Sequence, residues 1–133
     1  MSLPLQVPPN CDLTLGMVCA DKSQPGRTVW RVQAHERFAN PAGVVQGGFA
    51  AACCDSAMAA SVVTFVRGRP VRVANSEMKV SFLKPVRVGA RLVCEAEVVS
   101  GGARVAFVEA TLRGEDDVAV ARATSTYLIS DRN

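Results

Sequence analysis

The sequence predicts an α+β fold in which one long helix packs on a curved antiparallel sheet, and three features carry that prediction. A proline-free, alanine-rich stretch runs from Gly47 to Val66 and stops at Gly68 and Pro70. After it, four segments alternate apolar and polar residues with a period of two. At 133 residues, 49% hydrophobic and 20% charged, the chain suffices for one domain with one core. Val (21) and Ala (19) dominate the apolar residues, which suits strands under a closely packed helix.

Taken in order, residues 1–12 read as an irregular arm, because Pro4, Pro8 and Pro9 interrupt it, and residues 13–133 as the single domain. Leu13 to Ala20 reads as a short strand and Lys22 to Gly26 as a turn. Thr28 to Arg37 is a half-buried strand with Trp30, Val32 and Ala34 on its inner face, which leaves His35 on its surface. Asn40-Pro41-Ala42-Gly43 is a second turn. The helix that follows is apolar around nearly its whole circumference, so it is expected to be buried on all sides. Its length approaches that of a membrane span, but Asp55 at its middle argues against one, at about 2.5–3.5 kcal/mol for insertion. Val71 to Leu83, Arg91 to Val99, Ala103 to Arg113 and Val118 to Ile129 are the four strands, with a tight turn at Ser100-Gly101-Gly102 and a longer one at Gly114 to Asp117.

Composition excludes several functions. The net charge of +3 comes from scattered basic residues, with one Trp and one Tyr, so neither a basic stripe nor a stacking platform for nucleic acid is visible. One histidine, His35, and five cysteines without a CxxC pair leave no metal-ligand pattern, and no cofactor is expected. The odd number of thiols suits a reducing interior such as the cytoplasm. Cys53 and Cys54 lie inside the helix and read as packing residues.

Two features carry chemistry. Asp55 has Ala51, Ala52, Met58 and Ala59 as its neighbours on the helix surface, which leaves room above the carboxylate. A carboxylate in such a place is either functional or bonded to a partner at a dimer seam. Gly47-Gly48 opens the same helix, where unpaired backbone N–H groups suit an oxyanion or phosphate, although two glycines are also a permissive turn. Eight residues separate Gly47 from Asp55, about 12 Å along the axis, so one helix cannot bring both to one carbonyl. If they cooperate, Asp55 comes from a second subunit with an antiparallel helix.

Asn40-Pro41-Ala42-Gly43-Val44-Val45-Gln46-Gly47-Gly48, followed by Asp55, resembles the signature of hotdog-fold acyl-CoA thioesterases of the phenylacetate-pathway type, within the 4-hydroxybenzoyl-CoA thioesterase superfamily. That pattern is Asn or Gln, five residues, His-Gly-Gly, and an acid nine residues after the His; Asn40, Gln46 and Asp55 fall on its spacings. Met78 to Pro85, then Gly89, is similar to the strand and turn that follow the helix in that family. The resemblance implies a hotdog fold of five to six strands around the helix. It implies an acyl-CoA substrate and a homodimer or homotetramer, with no nucleic acid, membrane or metal. It gives the Gly47 N–H the role of polarising the thioester carbonyl, Asn40 that of positioning it, and Asp55 that of base or nucleophile. Asn75 falls where relatives carry a Ser or Thr that holds water, and Gly48 borders the substrate. Arg67 and Arg69, with Arg72, are candidates for the phosphates of coenzyme A, although solubility explains such a cluster as well. Gln46 departs from the usual His: it can position by hydrogen bonding but cannot shuttle protons near neutral pH. The alternatives that remain are a non-catalytic acyl-CoA-binding protein, with Gln46 marking lost activity, and a structural dimerisation domain.

Overall fold

The computed structural model describes residues 7–132. Their elements are α1 (Asn10–Leu15), β1 (Val18–Asp21), β2 (Arg27–Gln33), one turn of 3₁₀ helix (Glu36–Phe38), α2 (Gly47–Phe65), β3 (Val71–Phe82), β4 (Arg91–Gly101), β5 (Val105–Arg113) and β6 (Ala119–Asp131). The six strands form one antiparallel sheet in the order β1-β2-β4-β5-β6-β3, and α2 lies across its inner face. The expected α+β class and the long helix are both present.

The amino-terminal segment departs from expectation. Residues 1–6 of the predicted arm lie outside the described residues, but Asn10–Leu15 is helical, closed by Gly16 in the left-handed conformation at φ 80°, whose N–H reaches back to Asp12 and Leu13 carbonyls. Of the strand expected over Leu13 to Ala20, only the part from Val18 lies in β1, which runs on to Asp21 and pairs with β2. The strand expected to reach Arg37 ends at Gln33; His35 instead caps the 3₁₀ turn, its Nδ1 accepting the Arg37 N–H at 3.0 Å.

Strand order is the other finding that periodicity does not contain. β3 follows the helix directly yet crosses to the far edge, where it pairs with β6 along Val71↔Asp131 to Phe82↔Ala121. β4 returns to the middle and pairs with β2, Trp30 opposite Cys94 and Val32 opposite Leu92.

The helix is not buried on all sides. Phe49, Ala50, Cys53, Cys54, Ala57, Met58, Ser61 and Val62 are buried and form one stripe at a helical period. Asp55 and Val63 are exposed, and Ala51, Ala52, Ala59 and Ala60 are half-buried. One sheet can cover only one side of a helix, so the opposite alanine-rich side is left open in the single chain. Polar groups lock the buried stripe. Thr28 Oγ1 and Ser61 Oγ lie 2.9 Å apart, and both reach the Ala57 carbonyl at 3.0 Å. Ser61 Oγ also reaches Ala96 O at 3.2 Å, and the Trp30 indole N–H donates to Thr28. These bonds satisfy buried groups while tying α2 to β2 and β4.

Candidate active site

The loop before α2 is built to present the start of the helix. Asn40 Oδ1 accepts the N–H groups of Ala42 and Val44 at 3.0 and 3.2 Å, while the Asn40 N–H donates to Val44 O at 2.8 Å. Gly43 completes the turn at φ 77°, a conformation open to glycine and strained for most residues. The Gln46 N–H donates to Phe38 O and the Val45 N–H to Val86 O, both at 2.8 Å, and the Phe38 and Phe49 rings stack at 4.4 Å. Asn40 therefore shapes this loop through its side-chain oxygen. Gln46 is the N-cap residue, exposed, and its side chain makes no capping bond. That leaves its amide available to a ligand.

Gly47 sits against the ring of Phe82 at the end of β3. A Cβ at this position would lie 3.0 Å from Phe82 Cε1 and 3.1 Å from Cζ, so only glycine lets the ring approach. Around them is a cavity of about 370 Å³, lined mainly by Val44, Val45, Ala50, Phe82, Leu83 and Pro85, with Gln46 and Lys84 as its polar side chains. The first turn of α2, with its unpaired N–H groups, thus opens beside an apolar recess.

Asp55 lies two turns along, on the open side of the helix, and is held by two strands. Tyr127 of β6 donates its hydroxyl to Asp55 Oδ1 at 2.5 Å and lies 2.9 Å from the Asp55 carbonyl oxygen. Asn75 of β3 donates from Nδ2 to the same Oδ1 at 3.0 Å, with Tyr127 Oη at 3.3 Å and Met78 Sδ at 3.4 Å. The Ser125 hydroxyl lies 2.6 Å from Asn75 Oδ1 and fixes the far end of that amide. Asn75 and Tyr127 are opposite one another in the β3–β6 ladder, immediately before the bulge that inserts Ser76. The bulge reverses inward parity, so that Asn75 and Met78 both face the helix. Burial, then the hydrogen bond to Asp55, raises the Tyr127 phenol above its ordinary range, so it remains a protonated donor.

The structure brings Asp55 and Asn75 together and places Gln46, Gly47 and Gly48 at the other end of this stretch of helix. Arg67 and Arg69 lie beyond the far end of α2 and are engaged with the protein. Arg67 donates to Lys22 O at 3.0 Å, and Arg69 to Asp131 at 2.9 Å and to Ala103 O at 2.7 Å. Burial pushes the Cys53 thiol up to about 12, and Cys94 is held well above the usual thiol range by its hydrogen bond with Cys54 and by burial. These thiols suit packing rather than attack. No cluster of His, Cys, Asp and Glu able to hold a metal occurs among the described residues.

Sequence reasoning missed Tyr127 and Ser125. A signal was present: Ala121, Ala123, Ser125, Tyr127 and Ile129 share the inward parity of the last strand, and a hydroxyl on that face must find a polar partner.

Comparison with known proteins points to one family and one fold. A family model described as the thioesterase superfamily matches residues 42–121. Acyl-coenzyme A thioesterase 13 of Homo sapiens is 24% identical over 103 residues, 77% of this chain and 72% of that protein. A phenylacetic acid degradation-related protein of Ralstonia eutropha JMP134 is 30% identical, with a TM-score of 0.81 over 90% of this chain and 89% of that one. A hypothetical thioesterase protein of Streptococcus pneumoniae TIGR4, solved with coenzyme A, shares the fold at a TM-score of 0.83 and 16% identity, covering 92% of this chain and 94% of its own.

Proposed function

The chain belongs to the thioesterase superfamily, a thioester hydrolase with the hotdog fold, and we propose that it hydrolyses acyl-CoA with Asp55 as base or nucleophile at a site shared between two subunits. The observation that carries this reading is the presentation of Asp55. Two inward-facing side chains hold an otherwise exposed carboxylate on the open face of α2, an expense that a solvated surface residue does not need. The Gly47 N–H, beside its apolar recess, receives the thioester carbonyl oxygen, and Gln46 orients the substrate. About 12 Å of rigid helix separates Gly47 from Asp55 in one chain, so the reacting pair is Gly47 of one subunit and Asp55 of the other.

In the base route Asp55 takes a proton from water as the oxygen attacks the carbonyl carbon. The negative charge that develops on the carbonyl oxygen is met by the Gly47 N–H at the positive end of the helix. The C–S bond then breaks, the coenzyme A thiolate departs, and a proton returns to it, leaving acid and thiol. In the nucleophile route the Asp55 carboxylate attacks the carbonyl carbon first, the C–S bond breaks and the coenzyme A thiolate leaves to be protonated; water then cleaves the mixed anhydride, releasing the acid and restoring the carboxylate. The five free thiols suit a reducing compartment, and the cytoplasm is the proposed location.

The test is thiol release from short, long and aromatic acyl-CoAs by the parent chain and by Asp55→Asn. Turnover should fall by about 10²–10⁴ in the variant, the span of a positioned acid–base group, while the dimer and its affinity for acyl-CoA persist. An Asp55→Asn protein that is folded, dimeric and fully active would end the assignment of Asp55. Binding of acyl-CoA by the parent without thiol release would support the non-catalytic alternative.

A further inference from the structure

The surroundings of Asp55 treat its two carboxylate oxygens unequally. Oδ1 accepts both the Tyr127 hydroxyl and the Asn75 amide, at 2.5 and 3.0 Å. Among the described residues, no protein hydrogen bond or ion pair reaches Oδ2. Resting on the reading of Asp55 as the reacting group, we infer that Tyr127 is its positioning residue and that Oδ2 is the oxygen that meets water or the thioester.

The placement of Tyr127 supports that role. Its side chain is 1% exposed and enters from β6 beneath the helix, so the ring is held by packing before the hydroxyl makes any bond. The hydroxyl lies within hydrogen-bond distance of both Oδ1 and the main-chain oxygen of Asp55, and so ties the carboxylate to its own turn of helix. Asn75, opposite Tyr127 on the adjacent strand, closes the other side, and Ser125 holds Asn75. A carboxylate with one oxygen clamped between two donors cannot rotate freely about its terminal bond, and its free lone pairs lie on the oxygen that the clamp leaves out. A carboxylate held only by solvent would lose that orientation, and small misplacements of reacting groups are costly in rate.

Asp55 faces Asn75 of β3, Tyr127 of β6 and, on its own helix, Cys54; of these Tyr127 and Cys54 are titratable. The elevated phenol remains neutral throughout the working range, so the clamp donates at every pH at which the enzyme turns over.

Tyr127→Phe keeps the packed ring and deletes only the donor. In the full-length chain its kcat on a good acyl-CoA should fall about 10- to 100-fold, with KM within about threefold of the parent. A purely structural tyrosine would lower the yield of folded protein and leave kcat and KM of the folded fraction in place. Tyr127 is also the chain's one tyrosine, so biosynthetic 3-fluorotyrosine labels this site alone. Its fluorine resonance in the assembled protein should shift when Asp55→Ala removes the acceptor of the Tyr127 hydroxyl, and this measurement stands even where Tyr127→Phe folds poorly. An unmoved kcat in folded Tyr127→Phe, or a fluorine signal that ignores Asp55→Ala, would overturn the clamp while inactive Asp55→Asn leaves the catalytic reading intact. Full activity in Asp55→Asn would instead remove the reading on which the clamp rests.

Discussion

Gly47 and Gly48 are consecutive at the start of α2, but they meet different surroundings, and the contrast yields a paired experiment. A methyl group at Gly47 would lie 3.0–3.5 Å from three atoms of the Phe82 ring, whereas carbon atoms rest at about 3.5–4.0 Å. The ring must therefore retreat by roughly 0.5–1 Å in Gly47→Ala. It can do so, because Phe82 is 57% exposed, and the fold should lose no more than about 1 kcal/mol. The ring also lines the recess beside the Gly47 N–H, and a misplacement of about 1 Å at a reacting centre can cost about 100-fold in rate, or roughly 2.7 kcal/mol of barrier. At Gly48 a methyl group meets only Gln46 Cδ at 3.9 Å, an ordinary contact. Neither glycine has a positive φ, so Gly48→Ala should stabilise the helix by about 0.4–1 kcal/mol and lose much less activity than Gly47→Ala. Thermal unfolding and thiol-release kinetics on both variants read the two effects separately. Equal loss of kcat/KM in the two variants, or none in Gly47→Ala, would refute the placement of the thioester carbonyl beside Gly47.

If Gln46 only positions the substrate, Gln46→His should leave kcat within about tenfold of the parent, roughly 1.4 kcal/mol; a gain of several orders of magnitude would show that proton transfer is needed there. Ala51 is midway between Gly47 and Asp55 on the open face, so Ala51→Leu should weaken dimerisation and activity together in sedimentation and kinetic assays, and a fully active monomer would defeat the shared site. The buried Cys53 thiol, raised to about 12, stays protonated below that pH; at pH 8 only ~1 in 10⁴ would be thiolate. Iodoacetamide mapped by mass spectrometry should therefore modify exposed Cys11 first, half-buried Cys19 more slowly and Cys53 only after unfolding. Labelling of Cys53 in the native protein at the rate of Cys11 would contradict its burial.

The elements were legible wherever a single period governed the sequence. Alanine propensity and the Gly68–Pro70 stop placed the helix, which ends at Phe65, and alternation placed β3 to β6 within a few residues. Alternation failed to show which strands are neighbours, because inward parity is the same whichever partner a strand takes; β3 went to the far edge unannounced. It also missed α1, where the prolines before Asn10 masked a one-and-a-half-turn helix ended by Gly16. Asp55, Gly47 and Asn40 stood out because charge or glycine broke an apolar pattern. Tyr127 broke none: a tyrosine in a strand is common, and only the register Asn75↔Tyr127, set by a bulge that alternation cannot reveal, carries its hydroxyl to Asp55.

The division of labour along α2 then bears on the second copy that the proposed site calls for. An α-helix is too rigid for side-chain motion to close the roughly 12 Å between Gly47 and Asp55, and no change of rotamer brings a first-turn N–H to a third-turn carboxylate. A two-fold axis that sets Gly47 of one helix level with Asp55 of the other passes midway, beside residue 51. That position and the next are alanine, and Ala59 flanks the far side of the carboxylate, so the surface that such a partner would approach is one of small side chains. The same face is the one that the sheet leaves uncovered, half-buried alanines on either side of an exposed Asp55 and an exposed Val63. Half-buried alanine and exposed valine gain by burial, whereas the carboxylate gains only if its charge is already met by protein donors when water is excluded. The Tyr127 and Asn75 bonds supply those donors from beneath, within the single chain. In the proposed dimer, association would then dry the helix face without stranding the charge, and would leave Oδ2 for the substrate.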